Sequence, residues 1–156
     1  MVVVVDDEDR ENEGNITMAA SKVTPEATAS IVKHGTGIVC ASIKEEDLEI
    51  LQLSLVDAKH GTTTGVSAHD GVTTVLALAS KDSKPKDFNC SSHIFLLKYR
   101  EGGVLKGAGH MEAALDLAML VGLDHVGALC EIVDDDGSMA RTFFTPHTNP
   151  LYNCPF

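Results

Sequence analysis

Carboxylates crowd one stretch of the chain, Asp6-Asp7-Glu8-Asp9-Arg10-Glu11-Asn12-Glu13-Gly14-Asn15, directly after the apolar run Val2-Val3-Val4-Val5. Acids this close repel one another, and Mg²⁺ or Mn²⁺, hard cations that take oxygen ligands, offset that repulsion. A solvated acidic turn would also give an acid run, but it needs neither Arg10 within it nor Gly14 at its end. Two histidines stand where chemistry could use them. His110 begins a predicted helix, where free N–H groups attract anions. His93 opens a predicted strand after a polar loop. The segment Gly102-Gly103-Val104-Leu105-Lys106-Gly107-Ala108-Gly109 is glycine-rich with one cation and fits a phosphate cradle, although it lacks the Gly-Lys-Ser/Thr of a Walker loop. Glu131 interrupts the apolar run Ala128–Val133, and a carboxylate buried there must be paired or have a raised pKa, which makes it an acid–base candidate.

Other chemistries fail on spacing. His110-Met111-Glu112 has the His-x-Glu of zinc deaminases without their Pro-Cys-x-x-Cys. Neither acidic run has the glycine and terminal glutamate of an EF-hand, and no nucleophile elbow is present. The residues together suggest metal-assisted proton transfer on a small phosphorylated substrate.

These groups need a frame. Val2–Val5 reads as a fully buried strand, which puts the acids at its C-terminal end, where α/β sheets place their sites. Ile16–Ala20 predicts a short strand. Thr24 caps and Pro25 opens a helix to about His34, with Gly35 ending it. Gly37–Ile43 is a second buried strand, Lys44–Leu51 a short charged helix and Gln52–Val56 a weak strand. Gly61-Thr62-Thr63-Thr64-Gly65 is a hydroxyl-rich turn before a helix over Val72–Ser80. Ser83–Ser92 reads as polar loop, His93–Tyr99 as strand and Glu101–Gly103 as turn. Gly109–Val121 is the best helix, with Met111, Ala114, Leu115 and Ala118 on one stripe and Glu112 and Asp116 on the other side. Val126–Val133 is a buried strand that Asp134–Gly137 turns. Interleaved strands and helices predict an α+β, three-layer fold, a mixed twisted sheet with helices on both faces. Residues 1–141 form the expected domain, and 142–156, with three prolines, an irregular tail.

A chain of 156 residues with net charge −11 and 44% hydrophobic residues can bury one core. That charge argues against nucleic acid or an anionic membrane as partner, and no run is long enough for a membrane span. Met1 leads straight into the strand, so no leader peptide is expected. Cys40, Cys90, Cys130 and Cys154 lie far apart and read as core thiols in a soluble protein of a reducing compartment.

The motifs resemble the 3,4-dihydroxy-2-butanone 4-phosphate synthase family of riboflavin biosynthesis. The resemblance rests on Asp6–Gly14, His34-Gly35-Thr36-Gly37-Ile38-Val39-Cys40, Gly61–Ala68, His93-Ile94-Phe95, Gly109-His110-Met111-Glu112-Ala113 and Leu129-Cys130-Glu131, in that order. Plant bifunctional riboflavin proteins have particularly similar wording, which implies the plastid stroma; otherwise the cytoplasm is expected. The family implies a lyase that converts D-ribulose 5-phosphate to formate and L-3,4-dihydroxybutan-2-one 4-phosphate, as a homodimer with two Mg²⁺ or Mn²⁺ ions per site. By resemblance Glu11 and His110 hold the metal. Arg10, Glu11, Glu13, Ala108, Gly109, His110 and Glu131 meet the substrate, and His93 and Glu131 are the catalytic pair. This chain departs from the family pattern around that site. Asn15 replaces an acid, Gly107 an Arg, Met111 a Thr, Cys90-Ser91-Ser92 an Arg-Pro-Gly, and Gly71 an Arg. A segment between Leu51 and Leu53 is missing. These departures predict weakened turnover; the alternative is an inactive relative serving as a dimerisation or regulatory partner.

Overall fold

The computed structural model describes residues 1–52, 54–90 and 92–141. The proline-rich tail 142–156, with Cys154, lies outside the described residues. Seven strands form one sheet: β1 (Val2–Val5), β2 (Gly14–Ala19), β3 (Thr36–Lys44), β4 (Leu55–Ala58), β5 (Phe88–Cys90), β6 (Ile94–Tyr99) and β7 (Val126–Ile132), in the spatial order β1-β2-β7-β3-β6-β4-β5. Among the described residues only β3 and β6 pair in parallel; the other pairs are antiparallel. Among the described residues four α-helices connect them: α1 (Pro25–Gly35), α2 (Glu45–Leu51), α3 (Ala68–Ala79) and α4 (His110–Leu120). The fold is the expected mixed sheet with helices on both faces.

Period-two alternation assigns each strand residue to a face. Ala41, Ile43, Val56, Ile94, Leu96, Val126 and Ala128 join Val72 and Val75 of α3 in one buried cluster, and Ile16, Cys130 and Ile132 meet Ile31 of α1 in a second. The opposite face carries Ser42, whose hydroxyl donates to the Met111 carbonyl at 3.1 Å. It also carries Gly127, where a Cβ would come within 3.0 Å of Ala114. Both place α4 on that face.

Local chemistry sets most boundaries. Thr24 Oγ1 accepts from Ala27 N and Pro25 opens α1 as expected, but α1 runs through Gly35 and stops at Thr36, a non-glycine residue at φ 60°. The helix after the Thr-rich turn starts at Ala68, four residues before Val72, because Ser67 caps it by accepting from Asp70 N. Val2–Val5 is a strand but not a fully buried one: it is the edge of the sheet, and Val2 and Val5 are exposed. Four β-branched residues in a row report strand propensity, and a neighbour on one side only leaves the other open. The N-terminal part of β3 is likewise exposed in patches, Ile38 above all. Part of the expected loop 83–92 is β5, which adds to β4 at the far edge. Glu112, read as outward-facing, is 1% exposed.

Candidate active site

The strand β1 delivers the acidic loop to one end of the sheet, and Asp6 then shapes it. The buried Asp6 carboxylate accepts from Glu13 N at 2.7 Å and from Glu11 N at 3.3 Å, folding the loop back on itself. Asp7 N donates to the Ala108 carbonyl at 3.4 Å, which joins the loop to the glycine-rich segment before α4. The result is a carboxylate–imidazole group: ligand atoms of Asp6, Glu11 and His110 all lie within 4.8 Å of one another. His110 is buried at the first turn of α4, and its Nδ1 has no hydrogen-bond partner among the described residues. A buried ring nitrogen beside two carboxylates is suited to a cation.

The other predicted residues fall into three places. Arg10 reaches over Gly109, where a Cβ would collide with its guanidinium and come within 2.7 Å of Glu112 Oε2. Glycine at this N-cap therefore keeps room for Arg10. Glu13 is buried and paired with Arg141, Nη2 to Oε1 3.2 Å. Glu131 stands half-buried on β7, opposite Asn15 of β2 in register. Asn15 is fully buried, and neither its amide nitrogen nor its oxygen has a partner among the described residues.

His93 stands apart from the acidic loop and two strand positions from Glu131. It precedes β6, four strand positions from β1, or roughly 19 Å at about 4.8 Å per strand. Its Nδ1 lies 2.7 Å from Asp57 Oδ2, and its N–H donates to Asp57 Oδ1 at 3.3 Å. Sequence reading missed Asp57, although a carboxylate between Val56 and Ala58 in a strand is a signal of the same kind as Glu131. It also set Glu112 aside as an exposed helix residue, and it took Asp6 only as one acid among several.

A groove of about 420 Å³ runs past His93 among Val32, Val39, Gly65 and Val66. A larger cavity, about 610 Å³, opens near Lys44, Leu78 and His125. That cavity holds none of the predicted site residues, so its size does not make it the site.

Burial raises two thiols: Cys40 to about 12 and Cys130 to about 11, mainly by desolvation of the thiolate. Cys90 is exposed, so only part of the core-thiol expectation stands. Asp70 goes the other way. The Thr63 N–H, with further bonds from the Thr63 hydroxyl and Gly65 N, lowers its carboxyl to about 2 despite burial.

The family model for 3,4-dihydroxy-2-butanone 4-phosphate synthase matches residues 1–145. The chain is 66% identical over 159 residues to the chloroplastic bifunctional riboflavin biosynthesis protein RIBA 1 of Arabidopsis thaliana, covering 90% of this chain and 29% of that protein. It thus spans about a third of that plant relative. The alignment is longer than the part of this chain it covers, so some of the relative's positions have no counterpart here. Identity to the 3,4-dihydroxy-2-butanone 4-phosphate synthase of Photorhabdus laumondii is 43% over 170 residues, covering 99% of this chain and 78% of that one. A solved 3,4-dihydroxy-2-butanone 4-phosphate synthase in complex with two magnesium ions superposes with a TM-score of 0.84 at 37% identity, covering 90% of this chain and 78% of that one.

Proposed function

Because this chain belongs to the 3,4-dihydroxy-2-butanone 4-phosphate synthase family, we propose that it converts D-ribulose 5-phosphate to formate and L-3,4-dihydroxybutan-2-one 4-phosphate, slowly, in riboflavin biosynthesis. The observation that carries this reading is the convergence of Asp6, Glu11 and His110, with His110 Nδ1 buried and without a partner among the described residues. Glu11 and His110 would hold divalent metal, two Mg²⁺ or Mn²⁺ ions by family resemblance. Bound there, the metal supplies Lewis acidity to the substrate's carbonyl and hydroxyl oxygens.

The chain's own residues supply the rest. Arg10 brings a guanidinium to the floor of the site beside Ala108 and Gly109, where it meets anionic oxygens of the sugar phosphate. Glu13, held by Arg141, fixes the far side of the loop and faces the same substrate. His93 and Glu131 exchange protons with it. His93 stands four strands away, beside a groove whose rim exposes Val32 and Val66, with Ile38 and Phe95 also exposed on this chain. That separation supports a homodimer in which a second copy brings its His93 to the acidic loop. The molecular mass in solution tests this, and a monomer at micromolar concentration would sink it. The catalytic unit is residues 1–141. Its setting is the plastid stroma, by analogy with the chloroplastic plant relatives.

Slow turnover follows from three side chains. Gly107 stands where the family carries Arg, and a Cβ there would meet nothing within 4 Å, so the larger residue has room. Asn15 replaces an acid and leaves a buried amide with no partner among the described residues. Met111 replaces a hydroxyl. A lost charge-assisted phosphate bond costs about 1.5–3 kcal/mol, so two such losses slow the reaction by about 10²–10⁴. Formate release from ribulose 5-phosphate with Mg²⁺ tests the reading. Turnover matching a complete family member would remove the impairment. No turnover, even after Gly107→Arg, Asn15→Asp and Met111→Thr together, would favour the inactive dimerisation or regulatory partner.

A further inference from the structure

We propose that Asp57 is the positioning residue for His93: it fixes the ring as the Nδ1–H tautomer and leaves Nε2 as the basic nitrogen. This rests on the reading of His93 as a proton-transfer residue.

Asp57 lies on β4 between β5 and β6, and its side chain is 10% exposed against 47% for His93. Its two oxygens serve one residue. Oδ1 accepts the His93 backbone N–H at 3.3 Å, and Oδ2 stands 2.7 Å from ring Nδ1. An ionised carboxylate only accepts, so Nδ1 carries the hydrogen and the neutral ring keeps its lone pair on Nε2. The backbone bond already anchors the start of β6, and a half-exposed ion pair stabilises little. What the ring contact adds is direction.

The surrounding loop is built to permit that contact. Gly65 has φ +83°, and a Cβ there would collide with both Asp57 Oδ2 and His93 Nδ1. Asp70 holds the loop in place through Thr63 N at 2.9 Å and Gly65 N at 3.1 Å. Nothing in the acidic motif reports this arrangement, because Asp57 and His93 are 36 residues apart. In the reaction, Nε2 takes a proton from the substrate, and the imidazolium formed keeps its Nδ1–H on Asp57. Nε2 returns that proton in a later step.

The test is ¹⁵N-histidine NMR of the full chain, with the His93 signals assigned by loss in His93→Gln. Wild-type neutral His93 should show the Nδ1–H tautomer. Asp57→Asn, whose amide can donate to Nδ1, should turn it to Nε2–H and lower kcat by about 10²-fold or more with little change in KM. Asp57→Glu should restore the tautomer and part of kcat. An Nε2–H ring in the wild type, an unchanged tautomer in Asp57→Asn, or an unchanged kcat would each overturn the assignment. If Asp57→Asn does not fold, Gly65→Ala should push the ring off Asp57 and mix the tautomers; a pure Nδ1–H signal there would overturn it as well. A wild type that releases no formate defeats the synthase reading, while the tautomer signals still decide the Asp57 contact.

Discussion

The face of the sheet under α1 and α3 and the face under α4 are made from alternate residues of the same strands, yet they bury different chemistry. Under α1 and α3 lie Ile16, Ala41, Ile43, Ile94, Leu96, Ala128 and Ile132. The α4 side buries Asn15, Thr17, Ser42, His110 and Glu112 beside the apolar Leu115, Ala118 and Leu129. Apolar burial stabilises in proportion to area and asks for no partner. Buried polar atoms cost stability unless they are bonded, and those without a partner among the described residues include Asn15 Oδ1 and Nδ2, Thr17 Oγ1 and His110 Nδ1. Both faces bury apolar area, but the polar groups buried on α1 and α3, such as Asp70 and Thr74, are bonded, whereas the α4 face keeps unbonded ones.

The contrast can be broken at several points. The largest effect is expected on activity. His110→Ala should lower formate release by about 10³-fold and abolish the rise in unfolding midpoint expected of the wild type on adding Mg²⁺. A surviving midpoint shift would move the metal away from the α4 face. Next comes stability. Ile43→Ala should cost about 2–5 kcal/mol in denaturant unfolding, whereas Thr17→Val, which removes an unpaired hydroxyl, should change it by less than about 1 kcal/mol. Equal losses would erase the distinction between the faces.

Restoration is smaller. Asn15→Asp alone should raise turnover by about tenfold, a gain of roughly 1.4 kcal/mol in the barrier. No gain would place the limit at Gly107, at Met111 or in the missing segment after Leu51. The fourth test is acid. Asp70 is held at about 2, below the usual carboxylate value of about 3.9. Its contribution is complete above that usual value and is lost as pH falls from there through about 2. Asp70→Asn should flatten the acid limb of the stability curve over that window. The smallest effect is on thiols: at pH 8, Cys90 should alkylate well before Cys40 or Cys130, whose thiols burial holds at about 12 and 11. Equal rates would show that the sheet opens around Cys130.

Much of this fold could be read locally. Thr24-Pro25 opened α1, the Lys44-Glu45-Glu46-Asp47 run led into α2, and the glycines of the Thr-rich turn lie at positive φ. The same reading failed wherever partners come from afar. Val2–Val5 looked interior because propensity does not say which strand takes the edge. Phe88–Cys90 looked like loop because its three residues become a strand only by pairing with β4. Glu112 looked outward because helix periodicity shows two sides but not which one a polar network needs.

For the candidate site, the sequence alone determined the residue types and the contiguous motif: an acidic loop after a strand, and a histidine at a helix start. Both depend on neighbours in the chain, whose geometry is fixed by a few dihedral angles. Only the tertiary structure decided that Asp6 turns the loop onto His110, about a hundred residues on, that Asp57 meets His93, and that His93 stands four strands from the acids. Those relations depend on strand order and register, which come from packing the whole sheet between its helices and leave no mark on any short stretch of sequence.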